Sequence, residues 1–119
     1  MKVLVVDDNP DDLFLANACL ENDYECITTS DIGDAIRIYA DTDLELVISD
    51  MEMPPYIDRA KNVFINNGID LLKTLRNLYP EKTTPIYIMS GTESFREESL
   101  EAGAEGFINK KVLITGKLF

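Results

Sequence analysis

Five residues in this chain have the types and positions to do chemistry together: the adjacent carboxylates Asp7 and Asp8, the carboxylate Asp50, the hydroxyl of Ser90 and the ammonium of Lys110. Each closes or follows a short apolar run. Carboxylates brought close repel, so one of them holds its proton unless a cation neutralises the group. Hard oxygen donors of this kind suit Mg²⁺, which binds through one or two carboxylates and keeps part of its water. A lysine adds a fixed positive point charge, and a serine adds a donor for an oxyanion. Together they would form a pocket shaped for a phosphoryl group. Singly, each is ordinary, since an Asp pair after a strand is commonly a helix-capping turn.

What would bring them together is the pattern of elements. Lys2–Val6 (KVLVV), Glu25–Thr29 (ECITT), residues 44–49 (LELVIS), 85–89 (PIYIM) and 106–108 (GFI) are short runs that predict strands. Several are almost wholly apolar, as strands buried on both faces require. Helical spacing lies between them. Residues 11–21 carry Leu13, Ala16 and Leu20, with Pro10 suited to the first turn. Asp31 can cap a helix through Ala35, Ile36 and Tyr39. Gly68–Leu78 places Ile69, Leu72 and Leu75 on one stripe, and residues 93–102 make a further helix. Such alternation predicts an α/β fold, a doubly wound five-stranded parallel sheet with helices on both faces. Ligands of such sheets bind outside the carboxyl ends of the strands. Asp7–Asp8, Asp50, Ser90 and Lys110 all fall at that edge.

The chain has 119 residues, the size of one domain, and 45% are apolar. Twenty-two acidic residues against eleven basic ones give a net charge of -11, which argues against direct nucleic-acid binding. There is no His, so imidazole catalysis and a phosphohistidine on this chain are excluded. Cys19 and Cys26 have neither CxxC nor zinc spacing and read as small hydrophobes in a reducing compartment. The first apolar run meets Asp7 too soon for a signal peptide, and no window approaches the ~20 apolar residues of a membrane span. A cytoplasmic protein is expected.

The stretches VLVVDDNPDD, LVISDMEMP, IYIMSG and EAGAEGFINK closely resemble the signature stretches of response-regulator receiver domains, and the likeness covers nearly the whole chain. The resemblance implies a flavodoxin-like strand order 2-1-3-4-5. It implies Asp50 as phosphoacceptor, with Mg²⁺ bound by Asp8 directly, by Asp7 through water, by Asp50 and by the backbone carbonyl of Glu52. Ser90 would hydrogen-bond the phosphoryl group, Lys110 would pair with its charge, and Phe107 would take the aromatic switch position. Implied partners are a histidine kinase or phosphotransfer protein and a downstream protein target. The chain would catalyse only its own phosphorylation and dephosphorylation.

The sequence departs from that family in several places. Residues 55–67 form an insertion between the third strand and third helix, where the family has a much shorter gap. Its Tyr56, Ile57, Ala60, Val63 and Phe64 fit one face of a short helix, either a packed excursion or a lid on the acid pocket. Lys111 stands where the family has proline in a cis bond, which a non-proline residue adopts only at a cost of ~3 kcal/mol. Phe107 lacks the hydroxyl of the commoner tyrosine, and Glu52 puts a carboxylate beside the phosphoryl position. The fifth helix is shortened, with Val112, Leu113, Ile114 and Leu118 interrupted by Gly116, and a homodimer could cover the face it leaves. Two other classes compete: an unphosphorylated receiver-like binding module, and a Mg²⁺-dependent phosphohydrolase with Glu52 as acid/base. An EF-hand beginning at Asp7 fails, with Asp12 where Gly is required and Ala18 where Glu is required.

Overall fold

A computed structural model describes residues 1–115. The strands are β1 (Lys2–Val6), β2 (Glu25–Thr29), β3 (Leu46–Asp50), β4 (Tyr56–Asp58), β5 (Val63–Ile65), β6 (Ile86–Ser90) and β7 (Gly106–Asn109). The helices are α1 (Pro10–Leu20), α2 (Ile32–Asp41), α3 (Gly68–Leu78) and α4 (Arg96–Glu101). Five strands form a parallel sheet in the order β2-β1-β3-β6-β7, which is the order 2-1-3-4-5 once the insertion is set aside.

Period-two alternation sends each central strand into two cores. Leu4, Val6 and Val47 face the layer of α2 and α3, where Ala35, Tyr39, Ile69, Leu72 and Leu75 pack. Val3, Val5, Leu46 and Ile48 face the other way, against Ala16 and Leu20 of α1. A strand with helices on both sides must be apolar throughout, and β3 is buried at every position. Its last buried residue is the carboxylate Asp50.

Helix starts follow their caps. Asn9 accepts from the backbone N–H groups of Asp11 and Asp12, Asp31 from that of Asp34, and Asn67 from that of Asp70. The expected helix over 93–102 instead opens as a 3₁₀ turn (Glu93–Phe95) before α4, because Thr92 makes no side-chain cap. The fifth helix is likewise a 3₁₀ turn over Lys110–Thr115, with Leu113 buried against the α1 layer and Ile114 exposed. Gly116 and Leu118, counted in that helix from the sequence, lie outside the described residues. Every peptide bond among the described residues is trans, Lys110–Lys111 included.

The insertion corrects an expectation. It is an antiparallel hairpin of β4 and β5, pairing Tyr56 with Ile65, Ile57 with Phe64 and Asp58 with Val63. Asp58 accepts from the N–H of Lys61, and Asn62 takes the left-handed conformation (φ 57°) that turns the chain back. Val63 and Ile65 point into the α2–α3 core while Ile57 and Phe64 are half exposed, so the apolar period is two. The helical stripe left out Ile65, the most deeply buried residue of the segment, and counted Ala60, which is exposed. Aromatic and β-branched residues suit that pleated surface better than a helix.

Ile65→Ala is expected to destabilise the protein by about 2–4 kcal/mol, and Phe64→Ala by under about 1 kcal/mol. Urea unfolding of the two variants checks this, and equal losses would show that the hairpin lies outside the core.

Candidate functional site

The carboxyl ends of β1, β3, β6 and β7 deliver the expected residues to one edge of the sheet. Asp7 lies immediately past β1, its N–H donating to the carbonyl of Thr29 (3.1 Å). Asp50 ends β3, Ser90 ends β6, and Lys110 follows β7. One oxygen each from Asp7, Asp8 and Asp50 lie within 4.8 Å of one another. Asp7 and Asp50 are buried, whereas Asp8 and Glu52 are exposed.

Lys110 balances this charge. Its Nζ lies 2.9 Å from Asp50 Oδ1, 3.0 Å from Asp7 Oδ2 and 2.6 Å from Asp12 Oδ2. Burial pushes Asp50 up to about 7; Lys110 pulls against that rise and the charge of Asp7 adds to it. Asp7 is also raised by burial, against the pull of the Asn9 N–H and Lys110. Burial opposes the charge on Lys110, but its pairing with Asp12, Asp50 and Asp7 outweighs that and holds the ammonium above its ordinary range. Three carboxylates around one ammonium, with Asp8 beside Asp7 and Asp50, leave an excess of negative charge.

The donor set fits a hard divalent cation. Asp7 Oδ2 is buried and receives no hydrogen bond of good geometry, despite the nearby Nζ. An acceptor left in that state carries an uncompensated desolvation cost, which a cation held by oxygens would relieve. The adjoining cleft, about 530 Å³, is lined by Asp8, Asn9, Asp12, Asp50, Glu52, Gly91, Thr92 and Lys110. No residue of the hairpin lines it. A larger groove of about 750 Å³ runs between α2 and the hairpin and holds none of these groups.

Local structure explains the precision of the site. The N–H of Asn9 donates to Asp7 Oδ1 (2.9 Å), while its side chain caps α1, so one residue orients a site carboxylate and starts a helix. The same cap sets Asp12 in the first turn. Asp12 was not expected here, because an acid in a first helical turn is accounted for by capping and the helix dipole. Gly68, at the start of α3, is required by close approach: a Cβ there would lie 2.3 Å from the carbonyl oxygen of Asp50. The trans Lys110–Lys111 bond still lets Lys110 reach Asp50.

Ser90 is buried under the cleft, its Oγ accepting from the N–H of Thr92 (3.1 Å). Phe107, on the neighbouring strand, points into the α2–α3 core. The guanidinium of Arg96 covers it, 4.9 Å from the ring centre. Arg96 is gripped by both oxygens of Glu93 (2.8 and 2.9 Å), and Asn109 Nδ2 donates to the same carboxylate (3.0 Å). The hydrogen bonds from Arg96 and Asn109 hold Glu93 down to about 2.

The family model for the response regulator receiver domain matches residues 3–115. No curated protein matches the chain in sequence. Among solved structures, the chain resembles the chemotaxis response regulator CheY4 of Vibrio cholerae, with 25% identity and a TM-score of 0.72 over 96% of this chain and 92% of that one. It also resembles the response regulator TrrA of Thermotoga maritima, solved in complex with Mg(2+)-BeF, with 25% identity and a TM-score of 0.70 over 89% and 83% of the two chains. The Salmonella typhimurium response regulator RcsB shares the fold, at 23% identity and a TM-score of 0.75, over all of this chain and 62% of that one.

The raised Asp50 carries a stability consequence. Its folded state binds a proton more tightly than its unfolded state, so its contribution is fully favourable below 3.8 and is lost as pH rises towards about 7. Asp50→Asn removes that loss, which amounts to about 4 kcal/mol by linkage, at the cost of the pairing with Lys110. In metal-free buffer at pH 8 the variant is expected to be the more stable by on the order of 1–3 kcal/mol, with the gap closing towards pH 4. Urea unfolding across that range checks it; a gap independent of pH would contradict the assignment.

Proposed function

The chain belongs to the response regulator receiver domain family, and from that premise we propose that it is a phosphoacceptor whose Asp50 takes a phosphoryl group from a phosphohistidine. The donor is a histidine kinase or phosphotransfer protein, since this chain has no His of its own. The observation that carries the reading is the contact of Lys110 Nζ with the buried Asp50 Oδ1 at 2.9 Å, inside the carboxylate cluster.

An oxygen of Asp50 attacks phosphorus in line. The P–N bond of the donor breaks, its electron pair passes to the imidazole nitrogen, which takes up a proton, and a mixed acyl phosphate remains on Asp50. Lys110 pairs with a phosphoryl oxygen and Ser90 Oγ turns to donate to another, so the charge is met by groups at the rim of the cleft. Mg²⁺ bound by Asp7, Asp8, Asp50 and the backbone carbonyl of Glu52 would supply further positive charge to the phosphoryl oxygens; the Mg(2+)-BeF complex of TrrA supports this metal. In hydrolysis, water attacks phosphorus, the P–O bond breaks with its electron pair returning to Asp50, and the water proton leaves with the phosphate. Glu52, on the cleft wall, adds negative charge that bears on the lifetime of the acyl phosphate.

The signal leaves through the end of β6. When Ser90 turns towards the phosphoryl group it gives up the N–H of Thr92, and the segment beyond carries Glu93 and thus the Arg96 cover over Phe107. That rearrangement alters the surface of α4 and β7 for a downstream protein target. The chain acts on no separate substrate, and its place of work is the cytoplasm. Among the described residues no helix is long and apolar enough to cross a membrane.

Incubation with a small acyl phosphate and Mg²⁺, followed by intact mass measurement, should add the mass of one phosphoryl group. The gain should vanish in Asp50→Asn and when Mg²⁺ is chelated. No gain in the parent protein with Mg²⁺ present would leave only a receiver-like binding module.

A further inference from the structure

Lys110 is shared between Asp50 and a carboxylate outside the expected set, Asp12. Of its three carboxylate contacts the one to Asp12 is the shortest, 2.6 Å, and it has hydrogen-bond geometry. An ammonium has three donors, and Asp7, Asp12 and Asp50 already surround it. The one contact with hydrogen-bond geometry is to Asp12, so an incoming phosphoryl oxygen competes with that carboxylate for the ammonium.

Exposure points to the same carboxylate. The side chain of Asp7 is 0% exposed, so releasing it would strand a buried charge; Asp50, 4% exposed, is the attacking carboxylate and keeps its charge until the phosphoryl group is transferred. Asp12 is 21% exposed on the cleft wall, where water can take over its lost hydrogen bond. Asp12 also belongs to the first turn of α1, held by the Asn9 cap, so its backbone stays in place when its side chain lets go.

We propose that Asp12 is a positioning residue that competes with the incoming phosphoryl group for Lys110, so that phosphoryl uptake requires the Lys110–Asp12 pair to open. This rests on the phosphoacceptor reading of Asp50. The carboxylate slows uptake in two ways that share a sign: it occupies the ammonium, and it repels a phosphoryl anion entering the same cleft.

Asp12→Asn keeps the size and removes the charge; Asp12→Glu keeps the charge. With a small acyl phosphate and Mg²⁺, followed by intact mass over time, Asp12→Asn should take up the phosphoryl group about threefold to tenfold faster than the parent. Asp12→Glu should stay within about twofold of the parent, a rescue that a merely structural role would not produce. Equal rates for Asp12→Asn and the parent, or a Glu variant that follows the Asn variant, would overturn the proposal. A stability cycle of Asp12→Asn, Lys110→Met and the double variant should depart from multiplicative folding constants by about threefold or more, and no departure overturns the pairing itself. Absence of uptake in every variant fells the phosphoacceptor reading and the competition with it; uptake indifferent to Asp12 fells the competition alone.

Discussion

One ammonium held among three carboxylates is the constraint on which the rest of the structure depends. Lys110 meets Asp7, Asp12 and Asp50 within 3.0 Å, and two of those three are buried. Charges in that setting are costly unless they are paired with good geometry. The sheet order supplies that geometry: β1 and β3 are neighbours, so Asp7 and Asp50 lie side by side. The two strands beyond β3 carry Ser90 and Lys110 to the same edge. The rigid, doubly covered strands fix where the charges sit; the loops after them fix which way they face. The site carries more negative than positive charge, a cost that the doubly covered sheet sustains.

The contacts beside the site are solvent-screened. Arg96 lies over Phe107 and pairs with Glu93, and the Arg96–Glu93 pair is roughly half exposed, so water and salt weaken it. Phe107 has no hydroxyl to hydrogen-bond outward, and the guanidinium of Arg96 covers its ring instead.

Much of this was legible in the chain itself. β1 and β2 announced themselves through short runs at their observed bounds, and the residues at the strand ends converge as that pattern requires. Three features were not legible, each for a physical reason. Over ten residues, Tyr56, Ile57, Val63 and Phe64 satisfy a helical stripe as well as a hairpin, and only the burial of Ile65 and the turn at Asn62 decide between them. Asp12 looked like a cap-region acid because local and long-range roles leave the same trace in sequence; only Lys110, ninety-eight positions away, separates them. The start of the expected helix over 93–102 tightened into a 3₁₀ turn, where Thr92 makes no side-chain cap and Glu93 is spent on Arg96 and Asn109.

The N–H of Gly68 donates to the carbonyl of Met51 at 2.9 Å, next to the point where a Cβ would strike Asp50. The sixteen residues 52–67 therefore leave and return at one place, like a bight of rope closed by a clasp. The clasp, not the hairpin of residues 56–65, sets the distance between the floor of the acid pocket and α3. The hairpin thus adds surface to the chain through Ile57 and Phe64 while Val63 and Ile65 tie it to the core.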